Sequence, residues 1–471
     1  MHTDLIIIGA GPGGYETALE AARRGMKVVL INGGQLGGTC LNEGCIPTKC
    51  MVKDAAVADL CRNALEFGVK SIDFEIGFNK IIERRDAVVA QLRQGIDGLL
   101  KRAGVTVVEG MAQFKDAFTV TVNGEEYDAE HIIIATGSHS RSLPIPGADA
   151  EWVMDSSDIL KLEYVPDSLV VVGGGVIGLE FASVFASLGT HVTVVEYMKQ
   201  ILPPFDSDIA KRLKQSLSKR GIDIITGAAV KKLEQREDYK IVTTYESKGK
   251  EQEVVSSTVL MAVGRGANVE GLNLEAAGVA YSPKGIPVTD DMRTNVDHIF
   301  AVGDVNARMM LAHVASYQGL RALNAIQGKS DEIRLDVVPS AVFLNPECGM
   351  AGLTEEQCKE RGLEITIGKS FYRANGKALA AGEPDGLCKL IFDKNSGLLL
   401  GAHIMGAEAA LMAQMCSDFI TAGRTRQQIR ETIFGHPTLA EVVLAAVEAA
   451  EKVVSNRNSL KNWMGCKALN N

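Results

Sequence analysis

The feature that most constrains this fold is a unit that occurs twice. Leu5-Ile6-Ile7-Ile8 is a short all-apolar run, the mark of a strand buried on both faces of a parallel sheet. Gly9-Ala10-Gly11-Pro12-Gly13-Gly14 follows, then Tyr15 to Arg24 at helical spacing, then a second strand from Lys27 to Ile31. This is a βαβ unit with G-x-G-x-x-G at the strand–helix junction. Gly9 makes the tight turn, Gly11 lets backbone approach a pyrophosphate, and Gly14 lets the helix pack on the strand. The helix N-terminus offers N–H groups and a positive dipole end to the phosphates. The order then returns as strand Leu169 to Val172, Gly173-Gly174-Gly175-Val176-Ile177-Gly178, helix Leu179 to Leu188 and strand His191 to Glu196. A lone G-x-G-x-x-G is a weak signal, but two in the required context make chance turns a poor explanation. The fold class is α/β, with two Rossmann-like dinucleotide-binding domains.

The two copies differ at one chemical position. An acidic residue at the end of the second strand binds a ribose 2′-hydroxyl. Glu196 stands 23 residues after Gly173, as a site for NAD(H) requires. The same offset from Gly9 lands on Asn32, a neutral amide that hydrogen-bonds without the charge-assisted component.

At 471 residues the chain exceeds one core, and ~100–200 residues per domain gives three or four. A net charge of −9 without a long Lys/Arg run disfavours nucleic acid and anionic membranes. Nine cysteines, an odd number spread thinly, are not a secreted disulfide framework. They suit a reducing compartment, the cytoplasm or an equivalent matrix, where a persistent disulfide is catalytic. The chain enters a strand by Asp4 with no basic leader, so no targeting segment is expected. Residues 169–189 are mostly apolar, but four glycines and Glu180 break the run into strand, turn and helix, so no membrane span is expected.

Gly37-Gly38-Thr39-Cys40-Leu41-Asn42-Glu43-Gly44-Cys45-Ile46-Pro47-Thr48-Lys49 places two cysteines five residues apart. In an ideal helix that is a rise of ~7.5 Å, and a disulfide wants Cα atoms ~4.4–6.8 Å apart. Cys40 and Cys45 pair only through a distorted turn, which Gly44 and Pro47 permit or force. The stretch reads as a redox disulfide in a strained turn; two buried free thiols, or half of a metal site, are the alternatives.

Residues 50–68 and 78–103 have helical periodicity. A strand at Thr106 to Val108 precedes a hairpin, Thr119 to Val122 turning at Asn123-Gly124, a type I′ signal. Ile132-Ile133-Ile134-Ala135-Thr136-Gly137-Ser138 is another buried strand, Pro144, Pro146 and Gly147 form a linker, and the strand Val259 to Gly264 closes the second unit. His298 to Val302 leads through Gly303 to Asp304, a carboxylate at a strand's C-terminal end, where open α/β sheets bind ligands. It suits a polyol such as a ribityl chain, although an Asp opening a loop is as common. A helix near Leu311 to Gln327 follows, whose N-terminus suits an anionic group. From Val338-Pro339 onward, strands Ala341 to Leu344, Cys388 to Phe392 and Leu398 to Ile404, then helices near Ala407 to Ala422 and Leu439 to Val454, read as an antiparallel α+β domain. Within it, Thr438-Leu439-Ala440-Glu441 is a capping box. Alternatively, Glu441 orients His436 as an acid/base.

Two dinucleotide sites, a cysteine pair and one imidazole form a relay. A nicotinamide moves a hydride and a dithiol moves two electrons through thiolates, so a flavin between them is expected: FAD at the first site, NAD at the second. The motif order resembles the FAD-dependent pyridine nucleotide–disulfide oxidoreductases of the glutathione reductase type across essentially the whole chain. The resemblance is carried by GAGPGG at 9–14, GGTCLNEGCIPTK at 37–49, ATGS at 135–138, GGGVIGLE at 173–180 with Glu196, AVGD at 301–304, MLAH at 310–313 and HPTLAE at 436–441.

The resemblance implies roles. Cys40 is the interchange thiol and Cys45 the thiol facing the flavin. His436, oriented by Glu441, serves the cysteines of a partner subunit, which makes the protein a homodimer with a C-terminal dimerisation domain. Lys49 lies beside the flavin and pairs with Glu180. FAD contacts fall on Gly9, Gly11, Gly14, Asn32, Gly38, Thr39, Lys49, Thr136, Gly137, Ser138, Asp304, Met310, Leu311, Ala312 and His313. NAD contacts fall on Gly173, Gly175, Val176, Ile177, Gly178, Glu180, Glu196, Val230 and Gly264; no metal is expected. The expected division is 1–148 for FAD, 149–267 for NAD, 268–338 returning to the first domain, and 339–471 for dimerisation. Gly178 and Glu196 favour NAD over NADP, which points to oxidation of dihydrolipoyl groups on an acyltransferase or carrier protein. An NADH-dependent reductase of another disulfide or of mercuric ion is the rival, and a non-catalytic redox scaffold has no need for the intact Cys40, Cys45, Lys49, His436 and Glu441. Asn32, Phe434, Asn345 and the extra thiol Cys50 depart from the family pattern, and Cys466 reads as incidental.

Overall fold

The computed structural model describes residues 2–70 and 73–452. The first unit contains β1 (His2–Ile8), α1 (Pro12–Arg23), β2 (Val28–Asn32), α2 (Gly38–Asn42), α3 (Cys45–Arg62), α4 (Phe78–Ala103), β3 (Thr106–Glu109), β4 (Ala112–Phe114), β5 (Thr119–Val122) and β6 (Glu125–Ile134). Its sheet runs β3-β2-β1-β6 in parallel, then continues antiparallel through β5 and β4. Asn123 and Gly124 have φ of 52° and 85°, the two positive values of a type I′ hairpin turn.

One expectation changes here. The hairpin's return strand and the apolar run Ile132-Ile133-Ile134 are not separate strands; both belong to the 10-residue β6. Its polar start pairs antiparallel with β5, and its apolar end pairs parallel with β1. The pattern becomes continuously apolar where the strand acquires cover on both faces.

Next come β7 (Ser138–Ser140), β8 (Val153–Met154), β9 (Ser168–Val172), α5 (Val176–Leu188), β10 (His191–Glu196), α6 (Ser207–Lys219), β11 (Asp223–Thr226), β12 (Ala228–Gln235), β13 (Ile241–Ser247), β14 (Lys250–Ser256) and β15 (Thr258–Met261). The second sheet, β11-β10-β9-β15-β8, is parallel and repeats the first sheet's order around its glycine turn, while β12-β13-β14 is an antiparallel meander. β16 (Arg265–Ala267) pairs antiparallel with β7. β17 (Ile299–Ala301) then rejoins the first sheet, parallel to β6. α7 (Ala312–Ile326) packs on α1 so closely that a Cβ on Gly319 would overlap the Thr17 hydroxyl.

The last unit holds β18 (Ser340–Val342), β19 (Cys348–Gly352), α8 (Glu355–Glu360), β20 (Ile365–Phe371), α9 (Gly376–Ala380), β21 (Leu387–Asp393), β22 (Leu399–Met405), α10 (Ala409–Thr421), α11 (Arg426–Arg430) and α12 (441–452). Its antiparallel sheet runs β18-β19-β22-β21-β20. The last residues of the expected terminal helix, and Cys466, lie outside the described residues. Among the described residues no helix is long and apolar enough to cross a membrane.

One of the apolar clusters spans all three units. It runs from Met51 and Ala55 on α3, through Leu179, Phe181 and Phe185 on α5, to Val342, Leu387 and Met405 in the last sheet. A buried ion cluster reinforces the second joint: Lys389 on β21, fully buried, donates to Asp206 Oδ1 (2.8 Å), Asp208 Oδ2 (2.7 Å) and Glu355 Oε2 (2.7 Å).

Candidate active site

The two glycine turns have the same backbone. Gly9 and Gly173 have φ of +109° and +111°, and each helix is capped by an extended glycine, Gly11 (φ −72°, ψ −176°) or Gly175 (φ −80°, ψ −174°). A Cβ on Gly14 would lie 1.8 Å from the Gly9 carbonyl, and one on Gly178 would lie 2.2 Å from that of Gly173. The first and last glycine of each motif therefore have no room for a side chain.

The cysteine stretch is not one distorted helix. It is two helices meeting at Gly44: Cys40 is in α2 and Cys45 is the first residue of α3. A Cβ on Gly44 would press on the Thr39 carbonyl (3.0 Å) and Cys40 Cα (3.4 Å), so this glycine brings the cysteines together. Pro47 lies in the first turn of α3, where its missing N–H costs nothing, and is not part of the link. Both cysteines are free thiols, and Cys40 is hydrogen-bonded to Cys45.

That bond lowers the Cys45 pKa from 9.0 to about 7, with the Lys49 charge assisting and burial and Glu180 opposing. The same bond, with burial, pushes Cys40 well up. In the dithiol, Cys45 is thus the thiol that gives up its proton first, at a helix N-terminus that favours the thiolate. Lys49 bridges both Glu180 oxygens (3.0 and 2.9 Å) and lies 4.7 Å from the Phe343 ring centroid, while the Phe343 N–H donates to Glu180 Oε1 (2.9 Å). Burial pushes the Cys50 thiol up, so it forms a thiolate less readily than an exposed cysteine.

Cys40, Cys45, Lys49, Glu180 and Phe343 line one cavity of about 1770 Å³. Its wall also includes Gly9, Gly11, Asn32, Gly38, Thr39, Thr136, Gly137, Ser138, Asp304 and Met310 to His313. Val176, Ile177 and Glu180 of α5 close its far side. The helices α1, α3, α5 and α7 all begin at this wall without a side-chain cap, so their positive N-terminal ends meet the cavity. Ser138 donates to Asp304 Oδ2 (2.5 Å), and Arg265 donates to both the hydroxyl and carbonyl of Ser138 (2.7 Å each). His313 is hydrogen-bonded through Nε2 to the Pro339 carbonyl (3.0 Å), and burial lowers its pKa, which favours the neutral imidazole.

Other expected residues lie apart. Gly173, Gly175, Gly178, Glu196, Val230 and Gly264 are outside the cavity wall, around the second turn. Glu196 accepts from the Gly174 and Met198 N–H groups (2.5 Å each), and a carboxylate has about four acceptor positions, so a ribose hydroxyl can still bind. The Val230 side chain is buried among Val172 and Val195. His436 is 79% exposed and is not on the cavity wall. Its Nδ1 lies 2.9 Å from Glu441 Oε1, while Glu441 Oε2 accepts from the Thr438 N–H (2.9 Å). The carboxylate thus touches both the imidazole and the helix-end N–H. The capping box is only half formed, because the Thr438 hydroxyl donates to the Gly435 carbonyl.

Residues 3–319 match the family model for pyridine nucleotide-disulphide oxidoreductases, and residues 338–447 match that family's dimerisation domain. The chain belongs to this family. It is 40% identical to the dihydrolipoyl dehydrogenase of Geobacillus stearothermophilus over 456 residues, 96% of each chain. Identity to the dihydrolipoyl dehydrogenase of Haloferax volcanii is also 40%, over 95% of this chain and 96% of that one. Among solved structures, the HOCl-induced flavoprotein disulfide reductase RclA from Escherichia coli superposes with a TM-score of 0.84 at 30% identity, covering 94% of this chain and 99% of that one.

For a pyridine nucleotide-disulphide oxidoreductase the first cavity should fit FAD, and it does. A Cβ on Gly38 (φ +59°) would lie 2.6 Å from Gly11 Cα, so two bare glycine loops meet at the first turn, where a pyrophosphate would need close backbone approach. Asp304, Arg265 and the open end of α7 are polar groups on this wall that would suit a ribityl chain and flavin ring. Sequence reasoning missed Arg265 and the Phe343 N–H: one is positioned by the β16–β7 pairing and the other by the last unit.

Proposed function

We propose that the chain oxidises protein-bound dihydrolipoyl groups and passes the electrons through Cys40 and Cys45 to FAD and then NAD⁺. The observation that carries this reading is the Cys40–Cys45 dithiol, with its charge on Cys45, set one helical turn from Lys49 on the wall of the glycine-lined cavity. In the oxidised protein, a substrate thiolate attacks Cys40 Sγ and releases Cys45 as the thiolate. The second substrate thiol attacks the substrate sulfur of the mixed disulfide, which closes the lipoyl ring and frees Cys40. His436 takes the substrate's proton, with Glu441 fixing the ring so that Nε2 faces the substrate. Lys49 stabilises the Cys45 thiolate while Glu180 holds Lys49. FAD, which the residues named above would hold, would supply a two-electron acceptor between the dithiol and a hydride-accepting NAD⁺.

His436 acts on the cysteines of a second copy, in a homodimer built on the dimerisation domain. The lipoyl group arrives on a carrier protein or acyltransferase, and the dithiol suits a reducing compartment such as the cytoplasm. The test is the flavin absorbance spectrum before and after adding dihydrolipoamide, with NADH formation from NAD⁺ followed in parallel. Loss of the oxidised spectrum with NADH release supports the reading, and a flavin that dihydrolipoamide leaves oxidised would sink it.

The likeness to a flavoprotein disulfide reductase favours a second reading, NADH-dependent reduction of another disulfide. Rates with NADH against a panel of disulfides and mercuric ion, set beside NAD⁺ plus dihydrolipoamide, separate the two.

A further inference from the structure

The ends of β2 and β3 lie in parallel register, with Asn32 opposite Glu109. Asn32 is 4% exposed and lines the cavity at the first glycine turn, whereas Glu109 stands outside, in solvent. Asn32 Nδ2 donates to Glu109 Oε2 (2.9 Å) and to the Gly34 carbonyl (3.0 Å). Both partners are pure acceptors, so reversing the amide would set an oxygen against two oxygens, and the orientation is fixed. Both amide hydrogens are therefore spent. The remaining capacity is on Oδ1, which meets only the Gly34 N–H, at 3.4 Å. An amide so held presents an acceptor alone, as the carboxylate of Glu196 does in the second unit, and the Glu109 charge polarises it further.

We propose that Asn32 and Glu109 form a two-residue clamp for the adenosine ribose at the first nucleotide site. Asn32 Oδ1 accepts from a ribose hydroxyl, and Glu109 is the positioning residue that holds the amide. The proposal rests on the reading that this site takes FAD. It carries a specific consequence: an acid at position 32 is unwelcome here. In Asn32→Asp two carboxylates face each other at hydrogen-bond distance, and like charges so close cannot both ionise without cost.

The test uses purified full-length holoprotein diluted in series, with released FAD read by its fluorescence. Glu109→Ala is expected to weaken FAD retention on the order of tenfold. Asn32→Asp weakens it comparably, and less so at acidic pH. The double variant Asn32→Asp/Glu109→Gln returns it close to the parent value, a rescue that a merely structural role for Glu109 would not give. Asn32→Asp retaining FAD as tightly as the parent, or a double variant no better than Asn32→Asp, overturns the clamp. If Asn32→Asp does not fold, Glu109→Ala decides, and unchanged retention overturns it. A parent protein purified without flavin would instead overturn the FAD reading itself, together with the clamp.

Discussion

Lys49 Nζ lies 2.9 Å from Glu180 Oε2, so one ion pair joins the helix that begins at Cys45 to the helix of the second nucleotide unit. The pair sets the charge felt by Cys45 from both sides, since Lys49 lowers its pKa and Glu180 raises it. Thiolate forms as pH rises through about 7. Lys49→Met moves that midpoint to higher pH, and Glu180→Gln moves it lower. The pH dependence of Cys45 alkylation in reduced protein, located by peptide mass, reads both directions. A midpoint indifferent to Lys49→Met would remove the lysine from the account.

Glu441 divides its two oxygens between His436 and the Thr438 N–H, which lets two variants separate its duties. Glu441→Gln keeps an oxygen for the Thr438 N–H and gives up the charge behind the imidazole. It is expected to melt like the parent while dihydrolipoamide turnover falls on the order of 10²-fold. Glu441→Ala loses both. Equal melting and equal turnover in Glu441→Gln would leave only the helix-end duty.

Lys389→Met strands the fully buried Asp206 without its cation. Removing one partner of such a cluster costs about 3–5 kcal/mol, measurable as a fall in the urea midpoint. Acid acts on the same joint. Asp208 is partly buried, which alone would raise its pKa, yet Lys369 and Lys389 hold it at about 2 against the ordinary 3.8. Its contribution is therefore complete above 3.8 and is lost as pH falls toward 2. A Lys389→Met protein should show a weaker acid dependence of stability across that window.

Gly38→Ala places a Cβ 2.6 Å from Gly11 Cα at a φ of +59°. The two loops must part, and the expected product is folded protein with a reduced flavin-to-protein ratio. A full complement of flavin in this variant would show that the loops do not cradle the pyrophosphate.

What the sequence revealed is what local chemistry dictates. Gly9, Gly14, Gly173 and Gly178 announce their turns because no other residue fits there, and Asn123-Gly124 announces its hairpin. The cysteine pair was visible, but its geometry was not: Gly44 ends one helix and starts another, an event that spacing along one ideal helix does not represent. Arg265 reaches Ser138 across 127 residues, and the Phe343 N–H reaches Glu180 across 163, with no periodicity in either segment to signal it. Asn32 looked like a lone departure because its partner, Glu109, lies on a neighbouring strand 77 residues away. His436 could be recognised by its neighbours, yet this single chain holds it in solvent, away from the cysteines.

The apolar core that passes from α3 through α5 into the last sheet has a consequence for how the molecule comes apart. No unit can expose its share of that cluster without uncovering the others, so the three are expected to come apart together under heat. Calorimetry should show one endotherm with agreeing calorimetric and van't Hoff enthalpies per cooperative unit, where separable modules would melt in steps. A single endotherm would mean that the path of the electrons is laid through one thermodynamic body.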